Sequence, residues 1–325
     1  MFIDDTAPIA VVCASDNNYA MGLSVTIRSV LENLQGNRKI NLFVIDGGIK
    51  NNNKKRILKS LSTLKCDIKF IKIPDVLLQK VIESHKPSRS GRSESKAKHV
   101  SIASFYRFLI PELVPNSLDR IIYLDCDLIV KGNLEEIWLT DLGDNYVLAV
   151  QDSWIPYVSS STSFLNYKEL GIPANTKYFN AGVLVINLNK WRADNITTKS
   201  IRYFMENFEY IGWYDQGVLN GLFAGQWGEL DPRWNATTHI FGFQSWNQSP
   251  FTEEVYARII HDPYIIHFVS EKKPWNSRHA LCKEDFFQYV DMTDWAGWRL
   301  TFWKRIWLKF YSKFKALYLK LQSYA

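Results

Sequence analysis

The sequence predicts an α/β fold built on a mostly parallel sheet. Two observations carry that prediction. Short apolar runs alternate with helix-length stretches, and the runs end in polar turn clusters of the kind found where a parallel sheet opens its ligand-binding edge. Ile9 to Ala14 is the first run, closed by Ser15-Asp16-Asn17-Asn18, and a helical stretch follows from Met21 to Asn33. Lys39 to Asp46 is the second run and ends at Gly47-Gly48. A polar helix over 51–64 and a third run from Ile68 to Ile73 complete the strand–helix–strand pattern. Asp16 therefore belongs at a strand's carboxyl end, where open α/β sheets bind ligands. Val100 to Leu109 has helical spacing and runs into Pro111. The later strands are expected at Arg120 to Leu124, Val147 to Val150, the apolar part of Tyr178 to Asn187, and Tyr264 to Phe268.

Composition narrows the function class. With 325 residues, 46% hydrophobic and 22% charged, the chain is an ordinary globular protein with length for one large domain or two modest ones. The net charge of +6 gathers near the carboxyl end, since no acidic residue follows Asp294. Basic charge confined to a tail speaks against nucleic acid as a partner. Cys13, Cys66, Cys126 and Cys282 show none of the CxxC spacings of zinc or redox sites, which suits a reducing cytosol. No basic region with an apolar core opens the chain, and no apolar stretch reaches bilayer length. Neither a signal peptide nor a membrane span is expected.

Asp125-Cys126-Asp127 sits between Arg120-Ile121-Ile122-Tyr123-Leu124 and Leu128-Ile129-Val130. On an extended chain the two aspartates project to one side and Cys126 to the other, so two oxygen ligands converge at a strand end. They suit a divalent cation that clamps a diphosphate, while the plainer alternative is a helix cap or a solvated turn. Ser84 to Lys98, rich in Ser, Lys and Arg, reads as a solvated loop or a lid over an anionic ligand. Arg107 is an isolated cation among apolar neighbours and needs a carboxylate or phosphate partner. Asp152 arrives at the end of another strand, and Asn180 and Gly182 at the mouth of the next. Asp215 suits a helix N-cap, and together with Gln216 and the aromatic Trp213-Tyr214 it also suits a carbohydrate. His267 ends the last strand just before Lys272-Lys273-Pro274-Trp275.

The ordered segments CASDNNYA (13–20), YLDCDLIV (123–130), YFNAGVLVINLNKW (178–191), YDQGVLNGLF (214–223) and IHFVSEKKPW (266–275) resemble the family 8 retaining glycosyltransferases. This family includes bacterial lipooligosaccharide galactosyltransferases, lipopolysaccharide glucosyl- and galactosyltransferases, and glycogenin. The resemblance spans roughly residues 8–276. It implies a single GT-A domain, Rossmann-like with a mostly parallel sheet, over residues 1–276, with an enzyme that moves galactose or glucose from a UDP-hexose to a glycan hydroxyl. The implied metal ligands are Asp125, Asp127 and His267, holding Mn2+, with Mg2+ as the lesser option. Lys273 matches the lysine on the diphosphate, and Ala14, Ser15, Asp16, Asn18 and Tyr19 match the surroundings of uracil and ribose. Cys126 and Ser270 join the donor-binding set. Arg107, Asp152, Asn180, Asp215 and Gln216 match donor-sugar contacts, with Gln216, Asp152 and Asp215 as the catalytic group. Gln216 would face the anomeric carbon. A carboxamide is a poor nucleophile, which favours a same-face mechanism in which the leaving phosphate helps deprotonate the acceptor.

The chain departs from the family pattern at Ser270 and Glu271, where Gly and Pro are familiar, and at Gly217, where an acidic residue is familiar. Residues 277–325 form the expected helical amphipathic tail. Trp303, Trp307, Phe310, Phe314, Leu317 and Leu321 recur at helical spacing, with Arg305, Lys309, Lys313 and Lys320 around the other side. Such a helix suits an anionic membrane surface and would place a cytoplasmic enzyme peripherally on the inner face of the cell membrane, beside an oligosaccharide, glycolipid or glycoprotein acceptor. The alternatives for the tail are packing on the catalytic domain or a nucleic-acid-binding role. The alternative for the whole chain is a non-catalytic UDP-sugar or glycan-binding protein of the same fold.

Overall fold

The apolar runs become strands and the stretches between them helices in the computed structural model, which describes residues 7–61, 65–84, 102–163, 166–304, 306 and 310. The strands are β1 (Ile9–Ser15), β2 (Ile40–Asp46), β3 (Cys66–Lys72), β4 (Arg120–Leu124), β5 (Leu128–Val130), β6 (Val147–Gln151), β7 (Phe179–Asn187), β8 (Gly228–Glu229), β9 (Ala236–Thr237) and β10 (Ile265–His267). The helices are α1 (Ala20–Asn33), α2 (Asn51–Ser60), α3 (Asp75–Ser84), α4 (Ile110–Leu113), α5 (Glu135–Leu139), α6 (Leu188–Ala193), α7 (Ile196–Asn207), α8 (Tyr214–Leu222), α9 (Glu253–His261) and α10 (Lys283–Val290).

Seven strands form one sheet in the order β3-β2-β1-β4-β7-β6-β8. β1 pairs in parallel with β2 and β4, β2 with β3, and β6 with β8, while β7 runs antiparallel to β4 and β6. β1 and β2 are in register from Ile9↔Ile40 to Ser15↔Asp46, so both strands stop at the same level. Ser15 accepts the Gly47 amide there at 2.9 Å. The central strands β4 and β7 are buried nearly throughout, as their mostly apolar sequence requires, with Arg120 and Asn180 buried among them.

The apolar runs on either side of Asp125-Cys126-Asp127 belong to different sheets. β4 ends at Leu124, the chain bends through Asp125-Cys126-Asp127, and β5 joins a second sheet of order β5-β10-β9. Helix α1 makes this bend possible. A Cβ at Gly22 would lie 2.2 Å from the Cys126 carbonyl oxygen, so only glycine lets the helix press against the bend. One turn on, Thr26 donates its hydroxyl to the Leu128 carbonyl at 2.8 Å, and the Val130 amide donates to the Ser29 hydroxyl at 2.8 Å. Polar side chains buried in α1 thus satisfy the edge of β5 that faces away from β10.

Residues 102–109 form a 3-10 helix rather than an α-helix. Pro111 follows at the start of α4, and its missing N–H removes the bond that would continue an α ladder from Arg107. Beyond residue 276 the chain still builds the main core. Phe286, Tyr289, Val290 and Trp295 are buried in it, the Asn33 amide donates to the Tyr289 hydroxyl at 2.8 Å, and Arg56 holds Asp294 at 3.0 Å. The basic aromatic pattern begins after this packed segment. Trp303 is 76% exposed and Phe310 68% exposed, whereas Arg305, Trp307, Lys309 and every tail residue after Phe310 lie outside the described residues, as does the 84–98 loop beyond Ser84. Among the described residues no helix is long and apolar enough to cross a membrane.

Candidate active site

Asp125 and Asp127 stand on the bend at the seam of the two sheets. The Asp125 amide donates to the Gly182 carbonyl of β7 at 2.9 Å, and the Phe268 amide donates to the Asp127 carbonyl at 2.8 Å. β10 pairs antiparallel with β5 so that His267 lies opposite Leu128, which brings its imidazole beside Asp127. Nε2 of His267 is 3.2 Å from Asp127 Oδ1 and 3.7 Å from Asp125 Oδ2. The three residues offer one ligand atom each, all within 4.8 Å of one another. Gly182 is the floor of this cluster. A Cβ there would meet His267 Cε1 at 2.2 Å and Asp125 Oδ2 at 3.0 Å.

A chain of amides orients His267 and selects its tautomer. Asn180 donates its Nδ2 to Asp152 Oδ2 at 3.0 Å, which leaves its Oδ1 to accept from the Gly182 amide at 3.0 Å and from Asn235 Nδ2 at 2.9 Å. Asn235 Oδ1 is thereby turned to His267 Nδ1, 3.0 Å away, and an amide oxygen can only accept. Nδ1 therefore carries the proton, and in the neutral ring Nε2 presents a lone pair to two carboxylates. Asp127 Oδ1 is buried and has no hydrogen-bond donor. In that neutral form Nε2 and the two carboxylates converge as three ligand atoms, and carboxylate oxygen with one imidazole nitrogen suits a divalent metal.

The charge count agrees. Asp125, Asp127, Asp152 and Asp215 line the cavity with only Arg107 and Lys273 as cations, which leaves two negative charges when the imidazoles are neutral. Burial works to raise the Asp127 carboxyl, but Lys273, and His267 when its ring is protonated, outweigh it and hold the group well below the usual carboxylate range. Lys273 Nζ lies 2.6 Å from Asp127 Oδ2 and also bonds the Phe268 carbonyl.

Arg107 finds the partners its buried position demands. Nη2 meets Asp125 Oδ1 at 3.0 Å, Nε meets Asp215 Oδ2 at 2.8 Å, and Nη1 donates to the Ala181 carbonyl at 2.6 Å. Burial disfavours its charge, yet Asp215, Tyr123 and Asp125 override that and raise it above the ordinary guanidinium value. Asp215 is pushed up to about 6, because its own burial exceeds the pull of Arg107. Asp215 is not a helix cap. Trp213 takes the cap position of α8 without a side-chain bond, and Asp215 sits inside the first turn facing Arg107. Trp213 and Tyr214 both adopt left-handed backbone, φ 58° and 48°, a costly pair of consecutive residues that turns Asp215 and Gln216 into the site.

Gln216 is held at both ends of its amide, accepting from the Ala181 amide at 3.0 Å and donating to Asp152 Oδ2 at 3.2 Å. Asp152 also accepts the Trp154 and Ile155 amides on Oδ1, at 2.8 and 3.0 Å. All its acceptor capacity is engaged, so it orients Gln216 and Asn180.

These side chains enclose a cavity of about 300 Å³ that takes in Arg107, Asp125, Asp127, Asp152, Asn180, Asp215, Gln216, His267, Ser270 and Lys273 of the sequence-derived set. Ser270 adopts φ 75°, the left-handed conformation that a glycine would hold without strain. Ala14, Ser15, Asp16, Asn18, Tyr19 and Cys126 do not line this cavity. They adjoin it behind the bend: Cys126 Sγ donates to the Ala14 carbonyl at 3.2 Å, and the Tyr19 ring meets Trp275 edge-on at 5.7 Å. Asp16 accepts the Asn18 and Tyr19 amides at 2.8 and 3.1 Å, a turn that starts α1. Burial, then Asp127 and Asp125, push the Tyr19 hydroxyl upward, which reflects how near that turn lies to the cluster. Sequence reasoning missed Asn235, Trp154 and His239. The only signals were a polar residue before the two-residue strand Ala236–Thr237 and an aromatic two places after Asp152.

Residues 10–279 match the family described as Glycosyl transferase family 8. General stress protein A of Bacillus subtilis (strain 168) is 32% identical over 88% of this chain and 94% of its own length. The lipopolysaccharide 1,2-glucosyltransferase of Escherichia coli is 28% identical over 89% of this chain and 79% of its own. Among solved structures, galactosyltransferase LgtC in complex with donor and acceptor sugar analogues superposes with a TM-score of 0.71 and 28% identity, covering 88% of this chain and 96% of that one.

Proposed function

This chain belongs to glycosyl transferase family 8 and is a glycosyltransferase of GT-A fold, and from that premise we propose that it moves a hexose from a UDP-sugar to a hydroxyl of a glycan, with retention, assisted by Mn2+. The observation that carries this proposal is the Asp125–Asp127–His267 cluster, with His267 Nε2 turned to two carboxylates and two more carboxylates than fixed cations around it. When bound, the metal supplies Lewis-acid charge for the departing diphosphate. Lys273, buried at the rim of the cluster, supplies a second cation for the same phosphates. Breaking the sugar–phosphate bond leaves positive charge on the anomeric carbon. Gln216, clamped between Ala181 and Asp152, presents a fixed dipole to that carbon, and its Oε1 is already engaged by a backbone amide. That engagement supports same-face transfer over attack by Gln216. Arg107 and Asp215 hold each other and thereby fix the floor on which the hexose lies.

The hexose is galactose or glucose, as the names of the two sugar-transferring relatives suggest, and UDP as its carrier follows from the family resemblance of the donor-binding segments. The acceptor is an oligosaccharide, glycolipid or glycoprotein. The tail after residue 304 would hold the enzyme peripherally on the anionic cytoplasmic face of the membrane, where such acceptors are assembled. The test is Asp127→Asn, which keeps a partner for Lys273 and removes one ligand charge. Mn2+-dependent UDP release should fall by at least 100-fold with an unchanged circular dichroism spectrum. Equal turnover by the variant would remove the metal-clamp proposal.

A further inference from the structure

Beyond the metal cavity the surface continues into a larger cleft of about 1000 Å³, at the upper end of the roughly 300–1000 Å³ of small-molecule sites. Trp154 lines both spaces and links them. Its indole lies nearly parallel to the Phe243 ring, with centroids 6.4 Å apart and planes at 24°, so the wall of one space passes into the wall of the other without a step. Three aromatic side chains on this cleft are exposed: Trp154 at 53%, Trp246 at 43% and Tyr157 at 37%. Large aromatics left to solvent around one cleft mark a recognition surface.

The polar complement of the cleft is hydroxyl and amide. Ser161 and Thr162 lie exposed on one side, and on the other Gln248 accepts the Gln244 amide on Oε1 at 2.7 Å, which leaves its NH2 as a donor. Among the described residues the cleft is lined by no Asp, Glu, Lys, Arg or His. A neighbouring cleft of about 660 Å³, which also shares Trp154, is lined by Glu271, Lys272, His239 and His279 and has the opposite character.

We propose that the uncharged cleft between Tyr157 and Trp246 is a distal subsite for a neutral oligosaccharide, holding the acceptor's sugars beyond the one that receives the hexose. The proposal rests on the transferase function above and adds the acceptor's chemistry to it. Apolar faces of pyranose rings match flat indole and phenol surfaces, ring hydroxyls match Ser, Thr and amide groups, and a surface without charge offers a phosphate, a carboxylate or a sialic acid no counter-ion. The continuous wall through Trp154 sets the path: an acceptor whose terminal hydroxyl reaches the metal cavity extends past Trp154 and Phe243 toward Trp246. Its reach favours an acceptor of three or more sugars.

The experiment is binding of the full chain to an array of neutral, sialylated and phosphorylated glycans of one to five sugars, with Trp246→Ala and the cleft-blocking Ser161→Arg measured beside it. Neutral glycans of three or more sugars should be retained, and each variant should weaken that retention at least tenfold with unchanged melting temperature. Retention of charged glycans in preference to neutral ones, retention unaffected by both variants, or no retention of any glycan would overturn the subsite. UDP release by the wild-type chain without acceptor reads the transferase function separately. Variant-sensitive binding of neutral glycans together with absent donor turnover would support the subsite while refuting the function on which it was built.

Discussion

Replacing Asn235 with alanine should loosen the metal cluster without touching a ligand. The Asn235 amide is the last member of the chain from Asp152 through Asn180 that fixes the proton on His267 Nδ1. Without its oxygen, Nδ1–H loses its acceptor, and the ring is free to place the proton on Nε2, where it would block a metal. Removing a partner that orients a metal-bound histidine typically lowers metal affinity about 10–100-fold, or ~1.4–2.7 kcal/mol. Asn180 Oδ1 keeps the Gly182 amide as a donor, so the cost to folding should stay near the ~1–2 kcal/mol of a lost buried hydrogen bond. Mn2+ affinity is read directly by the electron paramagnetic resonance signal of the free ion, and stability by urea unfolding. UDP release by Asn235→Ala should be weak at low Mn2+ and recover toward wild type as the metal saturates. Mn2+ affinity within twofold of wild type would refute the tautomer chain. Lost turnover that saturating metal does not restore would assign Asn235 a different task.

Three further outcomes are expected. Gly182→Ala places a Cβ 2.2 Å from His267 Cε1 and should cost ~1–3 kcal/mol of stability with more than tenfold weaker Mn2+ binding, checked by thermal melting and calorimetry; a wild-type metal affinity would contradict the packing. Asp215, pushed up to about 6 in the fold, holds more protons folded than unfolded between about pH 4 and 6, so its contribution makes stability fall as pH rises through that window, by ~3 kcal/mol at most. Asp215→Asn should flatten that slope in urea titrations of the metal-free protein, and an unchanged slope would assign it elsewhere. Deleting residues 305–325 should release the protein from vesicles containing anionic lipid while donor hydrolysis persists, and undiminished vesicle binding would rule out the tail as anchor.

The elements that read clearly from sequence are those whose pattern has a single physical meaning. β1, β2 and β3 are apolar runs closed by turn residues, and their parallel pairing follows from the helices between them. Asp125 and Asp127 were recognisable as converging ligands, although for the wrong local reason. Extended-chain alternation at a strand end suggests the convergence, whereas it comes from a bend that Gly22 permits and from His267 brought alongside by β10. No periodicity in the sequence records a glycine's distance from a carbonyl on another element. Asn235 was illegible for the same reason: its function lies in two hydrogen bonds to residues 55 and 32 positions away. Arg107 read correctly as a buried cation in need of a partner, but which of several aspartates it meets is a tertiary fact. Asp215 read either as a cap or as a sugar contact, and the structure sets the cap aside, because two left-handed residues before it turn the side chain to Arg107. The core contribution of Phe286, Tyr289 and Trp295 was hidden beside the basic stretch that follows them.

The most direct test of the central claim is UDP release from a panel of UDP-sugars by the full chain, with and without Mn2+, in the absence of acceptor. A metal-binding transferase with the cluster described above should hydrolyse one UDP-hexose slowly, in strict dependence on Mn2+, and the same donor should lose turnover in Asp127→Asn. Metal-independent hydrolysis, or UDP binding with no turnover of any donor even when neutral oligosaccharides are supplied, would contradict it.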